Sequence, residues 1–132
     1  MALLRCGAVS SVQETVLWTN SSPTTNFSSQ TITLSEDIDN FEYLKIKALG
    51  STTNNLEINI YISVEDFKKG GNSGAVAGPA LYGANSGGTA RRALYYKTDT
   101  TILVDNAEGG ASTFNNIAIP VEISGINGAN IG

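Results

Sequence analysis

From Leu56 to Ser63 apolar and polar residues alternate without a break. Leu56, Ile58, Ile60 and Ile62 fall on one side of an extended chain, and Glu57, Asn59, Tyr61 and Ser63 fall on the other. This period of two predicts a strand with one face buried. "FEYLKIKAL", residues 41–49, repeats the pattern, with Leu44, Ile46 and Ala48 opposite Tyr43, Lys45 and Lys47. Thr31 and Thr33 alternate with Ile32 and Leu34, which places the two hydroxyls on the solvent face, where a β-branched residue fits the pleat. Further strands are predicted at "ETVLWT" (14–19), "RALYYK" (92–97), "TTILVDN" (100–106) and "NIAIPVEI" (116–123), each bounded by Gly, Asn, Asp, Ser or Pro.

A helical period is missing from every stretch of useful length. "SVEDFKK", residues 63–69, predicts a single turn, with Ser63 as N-cap and acidic residues at its start. Seven to eight short strands with no crossover helices predict an all-β fold, two antiparallel sheets packed as a β-sandwich, of which the jelly roll is one form. Pro120 cannot donate to a ladder, so its strand is expected at an edge or with a bulge.

Residues 68–92 differ in composition from their surroundings and hold half of the chain's 14 glycines. The expectation is a long Gly-rich loop, either flexible or fixed by a partner subunit or a ligand. Residues 1–11 are read as an N-terminal arm and 12–132 as one β-sandwich domain, since 132 residues suffice for a single core.

Charge narrows the partners. A formal net charge of -4 disfavours nucleic acid and anionic membrane surfaces, and no run approaches the ~20 apolar residues that span a bilayer. The start, "MALLRCGAVSSV", has neither a basic leader nor a long apolar run, so the expectation is synthesis without a secretion signal and release by lysis or within a particle. Cys6 is the only cysteine, which excludes an internal disulfide; it is read as a small apolar residue.

The sequence has no histidine, so histidine-based triads, thiol–imidazole pairs and the usual zinc ligand sets are excluded. Carboxylates cluster at Glu36, Asp37 and Asp39 and at Glu65 and Asp66, and two carboxyls are all a glycosidase needs. At turns such residues usually bond to nearby backbone, and "SEDIDN" lacks the glycine and spaced acids of an EF-hand loop. "GGNSG" and "NSGG" lack the Gly-Lys-Ser/Thr ending of a phosphate loop. The expectation is a protein that is not an enzyme, with no cofactor and no metal.

Candidate ligand-binding residues are Trp18, Tyr82, Arg91, Arg92, Tyr95 and Tyr96, because aromatic faces beside guanidinium groups stack on sugar rings or bases. The competing reading places Trp18 in the core or an interface, turns one of Tyr95 and Tyr96 inward, and pairs the arginines with acids.

The run "ETVLWTNSSPTTNFSSQTITLSEDIDNFEYLKIKA" resembles the start of small β-sandwich modules in virion proteins of tailed bacteriophages, among them the heads of tail-fibre and baseplate proteins. The shared pattern is Leu-Trp-Thr-Asn, then Ser-Pro, Phe and Gln-Thr before a strand, an acidic turn and an aromatic-rich strand. The "VEDFK" turn and the "NIAIPVEISGI" ending are also similar, so the likeness covers most of the chain outside the Gly-rich segment. It has no catalytic signature and assigns no residue a role. The resemblance implies a virion protein of tail-fibre or receptor-binding type, a homo-oligomer, commonly a trimer, that contacts other virion proteins or a host-surface glycan. A capsid decoration or head-fibre protein and a free carbohydrate-binding module are the alternatives.

Overall fold

The alternating segments pair into strands in the computed structural model of the chain, which describes residues 12–70 and 79–128. Among these residues the strands are β1 (Gln13–Thr19), β2 (Gln30–Thr33), β3 (Tyr43–Ser51), β4 (Glu57–Ser63), β5 (Ala80–Asn85), β6 (Gly88–Thr98), β7 (Thr101–Gly109), β8 (Ser112–Thr113) and β9 (Ile117–Asn127). One sheet has the order β1-β9-β3-β4, the other β2-β7-β6-β5 with β8 beside β7, and every pairing is antiparallel. The protein is an all-β sandwich. The expected N-terminal arm, with Cys6, lies outside the described residues, as do residues 71–78.

Period-two patterning sets which side chains meet between the sheets. On β3, Leu44, Ile46 and Ala48 are fully buried while Tyr43, Lys45 and Lys47 stay partly open, and they pack with Leu81, Leu94, Ile102 and Val104 of the second sheet. Ile32 and Leu34 are buried, and Thr31 and Thr33 are exposed. Pro120 sits in a strand interior to its sheet, and the ladder with β3 shifts register between Pro120 and Glu122. The bulge there accommodates a residue that has no N–H to give.

The helical turn is α1 (Val64–Gly70). The Ser63 hydroxyl accepts a hydrogen bond from the Asp66 N–H at 3.0 Å, the N-cap geometry, and Val64 and Phe67 turn inward.

Residues 68–92 are not one long loop. Lys68–Gly70 close α1, and residues 80–92 belong to the β5–β6 hairpin, joined by Ser86 and Gly87. Glycine is needed here for proximity. A Cβ on Gly83 would lie 2.3 Å from the Gly50 carbonyl oxygen and 2.9 Å from the Ala118 nitrogen, so only glycine lets β5 press against the facing sheet. That purpose is invisible in composition.

Candidate functional site

Tyr82 and Arg91 are the two candidates that the fold brings together. They are direct partners across β5 and β6, and Arg91 is in turn the partner of Glu108 on β7. Alternation turns all three outward, because the neighbours Leu81 and Arg92 point into the core. Tyr82 is 62% exposed, a large aromatic left on open sheet surface. Beside this row lies an open groove of about 470 Å³, reached by Tyr82, Gly83, Arg91 and Glu108 from one sheet and by Gly50, Leu56 and Ile58 from the other. Leu56 is 63% exposed at its rim. The lining is largely apolar, with the Arg91 and Glu108 charges along one side.

Trp18 stands apart from that groove. It is half-buried on β1, edge-on to Phe27 with ring centroids 6.1 Å apart, and borders a hollow of about 300 Å³ lined by Thr19, Asn20, Ser22, Asn26 and Gln30. The two hollows share no residue. Several of its polar groups are already engaged. The Asn20 amide donates to the Pro120 carbonyl at 2.8 Å and its oxygen accepts from the Ser22 N–H, while the Thr25 hydroxyl donates to the Ser22 carbonyl.

Arg92 has no surface role. It is completely buried, and its guanidinium donates to the carbonyls of Phe27 (2.8 Å), Asp105 (2.7 Å), Ile117 (3.1 Å) and Ala118 (2.7 Å), with a longer bond to Asn115 (3.4 Å). Its charge also lies 5.3 Å from the centre of the Phe27 ring. Ala118 adopts a positive φ of 53°, the only such non-glycine residue described, at the point where two consecutive carbonyls serve the same guanidinium. Loss of hydration pushes the Arg92 pKa down to about 10, partly countered by the negative charge of Asp105, so the group stays charged at neutral pH. A ligand would have to displace this cradle to touch it. The expectation of a binding arginine is therefore corrected: Arg92 pins the 20–30 connection, β7 and the start of β9 to one another.

Tyr96 is drawn into another cluster. Its hydroxyl donates to the Asp99 carboxylate at 2.6 Å, its ring meets Phe67 edge-on, and the Lys68 ammonium lies 5.7 Å from the ring centre. Lys68 bridges Asp99 at 3.0 Å and also Asp39. The Tyr96 hydroxyl, followed by Lys68, holds the Asp99 carboxyl below the usual carboxylate range. The same bond raises the Tyr96 pKa, and Asp39 followed by Asp99 raises that of Lys68.

Asp37, Asp39 and Asp99 bring carboxylate oxygens within 4.8 Å of one another, a spacing that suits a cation. Lys68 already supplies positive charge to two of them, and Asp37 caps the 3-10 turn Ile38–Asn40 through the Asp39 N–H at 2.9 Å. Tyr95 is half-buried on β6 opposite Leu103.

The six candidates thus occupy five settings, and only Tyr82 and Arg91 share one. Glu108, Leu56 and Ile58 complete that setting; the alternation in 56–63 marked both aliphatic residues for burial, and an exposed Leu56 appears only once sheet order is known. No protein-family model matches the chain, and no curated protein matches it at a significant level.

Proposed function

We propose that this chain is a non-enzymatic bacteriophage virion protein, an exposed β-sandwich module of the tail-fibre or receptor-binding kind that works as a homo-oligomer and binds a host-surface glycan. The observation that supports a binding role is the row Tyr82, Arg91 and Glu108 on the rim of an open apolar groove. A sugar ring offers an apolar C–H face and a rim of hydroxyls. The exposed Tyr82 ring suits the first, and a guanidinium donor beside a carboxylate acceptor suits the second. The tightest acidic cluster is engaged by Lys68, Tyr96 and backbone, so its carboxylates are committed within the fold.

Binding of the purified chain to a panel of bacterial lipopolysaccharides, teichoic acids and capsular polysaccharides tests this reading. The expected result is saturable binding to at least one of them, weakened at least about tenfold in Tyr82→Ala, which corresponds to ~1.4 kcal/mol. Release of reducing ends from any of these polymers overturns the non-enzymatic reading. Binding only to purified phage heads or tails, with no polysaccharide bound, overturns the receptor-binding form in favour of particle decoration.

A further inference from the structure

We infer that the outer edge of β4, unpaired among the described residues, is the surface through which a second copy of this chain docks, by antiparallel β4–β4 pairing about a two-fold axis at Ile60. Two bonds fix which backbone groups point outward. The Gly50 N–H donates to the Leu56 carbonyl and the Val64 N–H to the Glu42 carbonyl, so even-numbered residues of β4 bond to β3. The N–H and C=O groups of Glu57, Asn59, Tyr61 and Ser63 therefore line the open edge.

Edge strands of stable monomers are usually short, bulged, covered, or guarded by lysine or proline. The other three edges follow that rule in part. β2 has four residues, β5 contains Gly83, and on β1 the Leu17 carbonyl accepts the Ser35 N–H at 2.9 Å. β4 has seven residues, a regular register along its whole length, and no lysine, proline or glycine. Among the described residues no backbone bond reaches its outer side. Its inward residues Ile58, Ile60 and Ile62 are only half-buried, and Leu56 and Tyr61 are 63% and 61% exposed.

The strand is also complementary to itself. Full overlap of Glu57–Ser63 with its copy centres on Ile60, pairs Asn59 with Tyr61 of the second copy, and sets Glu57 opposite Ser63. Glu57 is the only charge in the strand, and in this register it never meets its own image. The outward N–H and C=O groups of Asn59 and Tyr61 then bond reciprocally, the isoleucine rows of two copies become continuous, and one groove lies on each side of the axis. Two copies close this contact, whereas the phage resemblance implies three.

The proposal rests on the assembly reading above for the presence of more than one copy. Light scattering on the full chain, from micromolar to millimolar concentration, is the test, with Asn59→Pro and Tyr61→Lys as variants. Asn59→Pro removes an outward donor and leaves the β3–β4 ladder intact. The expected mass is twice the 13.8 kDa of one chain. Asn59→Pro should weaken the dimer about thirtyfold, since the two-fold axis removes two hydrogen bonds at once. Tyr61→Lys should also shift the mass towards one chain, with far-UV circular dichroism unchanged in both variants. A monomer throughout overturns both the assembly reading and this surface. A trimer, or a dimer that both folded variants leave intact, overturns the β4 edge alone.

Discussion

Replacing Arg92 with methionine probes the most heavily bonded side chain described. The change keeps a long, flexible stem and removes every donor. Three of its acceptors, the carbonyls of Phe27, Ile117 and Ala118, are reached by fully buried bonds. Stranding a buried acceptor costs about 1–3 kcal/mol, so the three together cost ~3–9 kcal/mol before relaxation. Two effects reduce this sum. Methionine spares the desolvation of a buried charge, and the carbonyls of Asp105 and Asn115, in partly buried bonds, can turn to water. A net loss of about 3–5 kcal/mol remains, a large part of the ~5–15 kcal/mol that stabilises a typical domain. Urea unfolding followed by tryptophan fluorescence is a suitable assay, because Trp18 touches Phe27, whose carbonyl and ring both contact Arg92. Arg92→Lys keeps the charge but has three donors on one nitrogen, too few for five carbonyls, so an intermediate loss of about 2 kcal/mol is expected. A methionine variant within about 1 kcal/mol of the parent would contradict this role of Arg92, as would a lysine variant as stable as arginine.

Gly83→Ala places a methyl 2.3 Å from the Gly50 carbonyl oxygen and should destabilise the fold by ~2 kcal/mol or more, read from the same urea curves. Asp99 contributes stability that is complete above about pH 4 and is lost as pH falls below that, because its folded pKa lies under its unfolded one. The thermal midpoint of the parent should therefore fall more steeply on acidification than that of Asp99→Asn; parallel acid limbs would contradict the Tyr96–Asp99–Lys68 cluster.

How far the sequence reveals this structure depends on the range of the interaction involved. Strands are local patterns: alternation marks 31–34, 41–49 and 56–63, and runs bounded by turn residues mark 14–19, 92–97, 100–106 and 116–123, seven strands in all, with Ser63 and the single helical turn. β5 escapes that reading because Gly83 and its small neighbours Ala80 and Ala84 blur the period; glycine there answers a contact with residues 50 and 118 that no local window contains. Arg92 is misread for a related reason. Beside Arg91 it looks like half of a surface pair, yet strand alternation sends the two to opposite faces. Its five acceptors come from residues 27 to 118, so its burial is decided by chain closure.

Tyr96 shows the same limit in a smaller way. Asp99 is three residues away and within reach of sequence reasoning, but Lys68, which completes the cluster, arrives through the fold. In the sequence Tyr82 and Arg91 are only two members of a group of six candidates. Cross-strand register selects them and adds Glu108.

Backbone and side-chain chemical-shift mapping with a bound polysaccharide fragment tests the proposed binding role most directly. The largest perturbations are expected to gather on Tyr82, Arg91, Glu108 and the Leu56–Ile58 rim and to saturate together. Perturbations centred on Trp18 and Asn26, or none at saturating fragment, would contradict it.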